Sequence, residues 1–127
     1  MEILKKKDSP WYIRKEGIKS YLLASPITCN TVHLATTLVE IEYGGKQHIH
    51  KHEPEHVYFI IDGIGKMKVG NETETVEVGD CIFIPSNEPH GLENVGKSKL
   101  RYFSAASPSF TKEELINFWP IESESKI

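Results

Sequence analysis

Four of the chain's six histidines fall within one stretch, GGKQHIHKHEPEH, from Gly44 to His56. Imidazole is the commonest protein ligand for transition metals, and it titrates close to neutral pH. Read as an extended segment, His50 and His52 point to the same side, roughly 7 Å apart along the chain. Both rings can then reach one ion at a metal–nitrogen distance of roughly 2 Å. A turn containing Pro54 reverses the chain, and His56 opens the next segment beside them. A distant fourth nitrogen is available in GDCIFIPSNEPHGLEN, from Gly79 to Asn94, where Pro85 ends a strand and His90 follows in a tight loop. The expected metal ligands are therefore His50, His52, His56 and His90. His48 shares the parity of His50 and is expected at the rim of the site. Tyr58 and Ile60 share the parity of His56 and are expected to wall it.

The elements that must carry these residues read as strands. TTLVEIEY, ending at Tyr43, alternates Val39 and Ile41 with Glu40 and Glu42, the pattern of a half-buried strand. HVYFIID, from His56 to Asp62, is β-branched and aromatic and ends at Gly63. KMKV and ETETVEV flank Gly70-Asn71, a hairpin signal. CIFIP gives another strand, in which either Cys81 and Phe83 or Ile82 and Ile84 face inward. In LRYFSA, Tyr102 faces inward if Lys99 and Arg101 face out. Tyr58 and Tyr102 either hydrogen-bond a ligand or fill the interior. SFTKEELINFW places Thr111 three residues before Glu114, a capping box. Leu115, Phe118 and Trp119 then follow at helical spacing. Short strands at this regular spacing predict a sandwich or barrel, not βαβ units.

Composition narrows the partners. At 127 residues one domain, 1–127, is expected. A net charge of −3 leaves no basic footprint for nucleic acid. No apolar window approaches the roughly twenty residues of a membrane span. The first residues lack the apolar run of a secretory signal. Cys29 and Cys81 lie far apart and form no metal-binding pair, which suits a reduced cytoplasmic setting.

The two histidine segments resemble the paired motifs of the cupin superfamily. In the first, Gly44, His50, His52 and Gly63 fall in register, and His56 stands where the family usually has glutamate. In the second, Gly79, Pro85, His90 and Asn94 match, and Asn87 replaces a glycine. Asn is the residue that best tolerates that exchange, since it accepts positive φ. The alternative register, His48-x-His50 with Glu55, restores the carboxylate but puts Glu42 and Asp62 where glycines belong.

The resemblance implies an all-β double-stranded β-helix (a jelly-roll barrel) with a short C-terminal helix. The barrel core is expected at about 34–106, with an N-terminal strand extension over 1–33 and the helix over 109–119. The pattern HxHxxxH with PxxxxHGxxN is similar to that of small single-domain cupins holding manganese or another divalent ion on four histidines. It implies one divalent ion per chain: Mn, Fe, Zn, Ni or Cu, with Mn or Fe favoured. Four neutral imidazoles leave that ion doubly positive, so an anionic chelating small molecule is the expected substrate. The expected activity is that of a metal-dependent oxygenase. An isomerase or lyase working by enolisation, or a non-catalytic binding module, are the alternatives. A small barrel leaves strand edges to protect, so a homodimer paired through the N-terminal YIRKEGIKSYLLA is expected.

Overall fold

The computed structural model describes residues 1–14 and 17–118. After a short 3₁₀ turn at Lys6–Asp8, the strands are β1 (Trp11–Arg14), β2 (Ile18–Leu22), β3 (Ala35–Ile41), β4 (Glu55–Asp62), β5 (Ile64–Val69), β6 (Glu72–Glu77), β7 (Cys81–Ile84), β8 (His90–Asn94) and β9 (Leu100–Ser107). One helix, α1 (Lys112–Phe118), follows. The strands form a six-stranded sheet in the order β1-β2-β3-β9-β4-β7 and a three-stranded sheet in the order β6-β5-β8. The named strand pairs are antiparallel. The result is the jelly-roll architecture that the resemblance implies, within the sandwich or barrel class expected from the strand spacing.

Turn residues set these registers. β5 and β6 close around Gly70-Asn71, with Gly70 at φ 59°. Gly63, between β4 and β5, has φ 89°, and a Cβ there would stand 2.9 Å from Leu100 Cα and from the Lys99 carbonyl. Both the dihedral and the close approach of β9 require glycine.

The core joins both sheets: Ile18, Val39, Ile41, Ile60, Met67, Leu92, Leu100 and Tyr102 are all buried. In β7 it is Ile84 (1% exposed) and, in part, Ile82 that pack inward, while Cys81 and Phe83 face out. An unbroken apolar run has no alternation to reveal its inner face, so only pairing with β4 decides it.

β3 departs from the expected half-buried pattern. It lies between β2 and β9, and Glu40 is only 7% exposed. Lys6 Nζ (3.2 Å), Lys99 Nζ (3.8 Å) and Arg101 Nε (3.1 Å) surround its carboxylate. Burial alone would raise the Glu40 pKa, but Lys6, then Lys99 and Arg101, outweigh it and hold the group below its ordinary value.

The C-terminal helix is capped as its sequence predicts. The Thr111 N–H donates to Glu114 Oε1 (2.9 Å) and the Glu114 N–H donates to Thr111 Oγ1 (3.1 Å). It begins at Lys112, later than the expected 109, and Trp119 lies outside the described residues. Leu115 is fully buried against Leu22 and Ala35, with Ile27 and Phe110 beside them, so α1 closes one end of its own barrel. Among the described residues, no helix is long and apolar enough to cross a membrane.

Candidate metal centre

His50 and His90 come from segments far apart in sequence and are locked together by their backbones. The His50 N–H donates to the His90 carbonyl (3.0 Å), and the His90 N–H returns a bond to the His50 carbonyl (2.9 Å). Residues paired this way in an antiparallel bridge project to the same face, and the two ring centroids are 4.3 Å apart. A second tie follows two residues on, where the Asn87 N–H donates to the His52 carbonyl (2.7 Å). Asn87 has φ 60°, the left-handed conformation expected at this glycine position. These ties bring the two motifs into one site.

The ligating atoms of His50, His52 and His90 all lie within 4.8 Å of one another. His56 approaches from β4, where its neighbours in register are Ile84 and Ala106. Its Nε2 is 3.3 Å from His90 Nε2, and its ring centroid is 5.6 Å from that of His52. His56 is close to His90 but is not one of the three histidines whose ligating atoms are all mutually close, so the structure shows three of the four expected ligands as one group.

The protonation of the rings is fixed by what surrounds them. His50 Nδ1 is 2.8 Å from the His48 carbonyl and His90 Nδ1 is 2.9 Å from the Glu88 carbonyl. A carbonyl only accepts, so each Nδ1 carries the proton and each Nε2 lone pair is turned to the centre. Such an outer hydrogen bond is the usual support of a metal-ligating histidine. Burial lowers the pKa of all four rings. His52 falls to about 4, helped by His50 and His90, and His56 falls to about 3, helped by His90, His52 and His50. His90 falls to about 4 and His50 is lowered as well, each against a backbone hydrogen bond that opposes the shift. At neutral pH the cluster is uncharged, the form a metal requires.

The histidines open on a cavity of about 350 Å³, walled by Ile18, Leu22, Val39, Ala106, Phe110 and Leu115 among others. Tyr58 and Tyr102 stack at 4.1 Å between ring centroids and form its polar wall with Gln47. Tyr58 Oη donates to Gln47 Oε1 (3.3 Å) and Gln47 Nε2 donates to Tyr102 Oη (3.0 Å). Burial pushes the Tyr58 pKa up to about 12 and that of Tyr102 well above its ordinary value. Both hydroxyls stay protonated.

The expected site residues are thus distributed as follows. His50, His52, His56, His90, Tyr58 and Tyr102 all line the cavity or its histidine cluster. His48 is exposed at the rim and supports His50 through its carbonyl. Ile60 is fully buried in the core beside Tyr102 and does not line the cavity. Gln47 and Phe110, whose ring meets His52 edge-on at 5.2 Å, were not anticipated. Parity with His48 would turn Gln47 away from the site. The segment is not a continuous strand, however, and only Lys46 and His50 form isolated bridges there, so alternation fails. Phe110 belongs to a chain reversal with no periodicity to read.

A buried cluster of convergent imidazoles inside a jelly-roll barrel is the arrangement of a cupin. The family described as the cupin domain matches residues 37–106, and the chain belongs to it. The chain is 33% identical over 104 residues to the uncharacterized protein MJ1618 of Methanocaldococcus jannaschii, covering 81% of this chain and 83% of that one. It is 28% identical over 86 residues to an oxalate-binding protein of Thermotoga maritima, covering 67% and 70%. The polyketide cyclase RemF of Streptomyces resistomycificus shares the fold, with a TM-score of 0.74 at 22% identity over 99% of this chain and 96% of that one.

Proposed function

We propose that the protein is a metal-dependent cupin enzyme of the oxygenase type, acting on a small anionic chelating molecule. One observation carries the reading. The ligating nitrogens of His50, His52 and His90 gather beside a cavity large enough for a small ligand, and we add His56 to the set because its Nε2 is 3.3 Å from that of His90. Pockets for small molecules start at about 300 Å³. The donor set fits one divalent transition metal per chain, with manganese or iron favoured. Bound there, the metal would supply Lewis acidity and adjacent open positions for a chelating ligand.

The protein's own residues would exclude water, orient the ligand and supply hydrogen bonds. The apolar wall and α1 cover the cavity, and the Tyr58–Gln47–Tyr102 cluster offers neutral hydroxyl and amide groups. No Asp or Glu lines the cavity among the described residues. Both tyrosines keep their protons at neutral pH. The chain therefore offers no ready carboxylate base, which weighs against enolising isomerase or lyase chemistry. The similarity to an oxalate-binding protein of Thermotoga maritima supports a small anionic chelate as the ligand. A non-catalytic ligand-binding role would use the same cavity.

The deciding experiment pairs elemental analysis with oxygen consumption. Protein produced with ample Mn, Fe and Zn is expected to hold about one ion per chain. It is then offered a panel of α-keto acids, catechols and diketones in an oxygen electrode. Metal-dependent uptake supports the oxygenase reading. Tight binding without uptake moves the protein to the binding modules, and metal-free protein overturns the site. The homodimer belongs to the same reading, with β1 an open edge of the larger sheet and Phe59 and Phe83 on its outer face.

A further inference from the structure

The cavity contains one permanent positive charge that the histidines do not explain. Arg14 ends β1 and pairs with Ile18, so it shares the inner face of the sheet with that buried residue. It lines the cavity, where it is the only Lys or Arg among the described residues. Its guanidinium lies over the Tyr12 ring, 5.5 Å from the ring centroid, and no carboxylate pairs with it among the described residues. The carboxylate whose charge reaches His52, that of Glu114, is occupied at the Thr111 amide (2.9 Å).

The register shows what lies between Arg14 and the histidines. Arg14 stands on the rung Ile18–Ile41–Leu100, and His56 stands on the rung Ala35–Ala106. The intervening rungs, Ser20–Val39–Tyr102 and Leu22–Thr37–Ser104–Tyr58, form the cavity floor. The Arg14 side chain lines the same cavity as these floor residues.

We propose that Arg14 anchors a carboxylate on the ligand end opposite the histidines, so that the cavity selects a small acid with chelating oxygens at one end, a short apolar body and a carboxylate at the other. A guanidinium presents a planar fork that matches a carboxylate in two parallel hydrogen bonds. Its position on an edge strand leaves it open to solvent until a ligand arrives, so it need not be desolvated in the empty protein. Stacking on Tyr12 restrains the fork in advance, which lowers the ordering cost of binding. The apolar lining of Ile18, Leu22, Val39 and Ala106 suits the middle of such a molecule better than a sugar or a polyol.

The chelating half of this assignment rests on the metal reading above, and the Arg14 half does not. The test uses two probes of like shape, 3,4-dihydroxyphenylacetate and its neutral counterpart 4-ethylcatechol. Each is titrated calorimetrically into metal-loaded and metal-stripped protein, for wild type, R14Q and R14K. In wild type the carboxylate probe is expected to bind at least about tenfold tighter than the neutral one, the scale of one charged hydrogen-bonded pair. R14Q should abolish that preference and leave the affinity for 4-ethylcatechol within about twofold. R14K, which keeps the charge but loses the fork, should keep only part of it. If the metal reading fails, 4-ethylcatechol gains nothing from added metal, while the Arg14 preference still shows in stripped protein. Equal affinity for the two probes in wild type, a preference that survives R14Q, or no binding of the carboxylate in either form overturns the proposal.

Discussion

The inner and outer faces of the six-stranded sheet are built by the same strands, and polarity is distributed on them against expectation. On the inner face His56, Ser20 and Ser104 are buried, and Tyr58 and Tyr102 both turn their hydroxyls to the Gln47 amide. On the outer face Phe59 is 45% exposed and Phe83 56%, beside the exposed Cys81 that pairs with Phe59. A buried polar group costs stability unless it is paired, and no buried side-chain nitrogen or oxygen is left unpartnered among the described residues. The comparison locates function: the inner face accepts the cost of polar burial because the cavity needs those groups. The outer face carries apolar area that the fold itself does not use.

The sharpest way to break the comparison is at the histidines. His52→Ala and His90→Ala should each strip the metal almost completely, by more than the roughly 10–100-fold that loss of a supporting partner costs. His56→Ala should follow closely. His48→Ala should retain metal, because His48 contributes its backbone carbonyl and its side chain is at the exposed rim. Metal content by mass spectrometry after dialysis measures all four. Equal losses for His48 and His56 would restore the alternative register with Glu55.

Acid should separate the two faces next. In the metal-free protein His52, His56 and His90 are lowered from 6.5 to about 4, 3 and 4. The unfolded chain therefore binds more protons than the folded one between about pH 6.5 and those values, and stability rises with pH across that window. Above pH 6.5 the rings are neutral in both states and add no pH dependence. Urea midpoints at pH 7, 5.5 and 4.5 should fall in that order, and a variant with His52 and His56 both changed to Gln should flatten the fall. A profile unaffected by that double substitution would place the acid sensitivity elsewhere.

A smaller inner-face effect is expected at Tyr102. Tyr102→Phe removes the acceptor of the Gln47 amide. Leaving a buried donor unpaired costs about 1–3 kcal/mol, a fall of roughly 3–8 °C or more in Tm for a domain of this size. Thermal unfolding followed by circular dichroism measures it. A change under 1 °C would show that the Gln47 amide is held by water instead.

The parts of this molecule legible in its sequence are those fixed by local chemistry. Gly63 and Asn87 occupy the positive-φ positions their motifs require, Thr111 and Glu114 cap the helix, and His50, His52 and His90 converge. What was not legible depends on contacts distant along the chain. Glu40 is buried where Lys6 and the start of β9, with Lys99 and Arg101, come to it from two other segments. Gln47 turns to Tyr102 because the backbone around it is irregular. Arg14 reaches the cavity only because β1 and β2 fold back onto β3. Alternation describes a strand with one wet face, and none of these residues has that surrounding.

The least disruptive test lies on the outer face. In register, Phe59 and Phe83 adjoin Phe103, Val57 and Cys81, a contiguous apolar stripe across β9, β4 and β7. Two half-exposed phenylalanines offer roughly 200 Å² on the usual scale of aromatic side-chain area. A stable interface takes about 800 Å² per partner. The stripe alone is therefore too small, and a homodimer must also engage a neighbouring strand edge. Light scattering on the wild-type chain should give twice the 14.4 kDa of one chain, and Phe83→Asp should return it to a single copy. The isolated chain should keep its unfolding midpoint within about 0.5 kcal/mol, as substitutions at exposed positions do. A wild-type mass of one chain would remove the dimer. A Phe83→Asp dimer of unchanged affinity would move the interface to the β1 edge and leave the outer stripe without a partner.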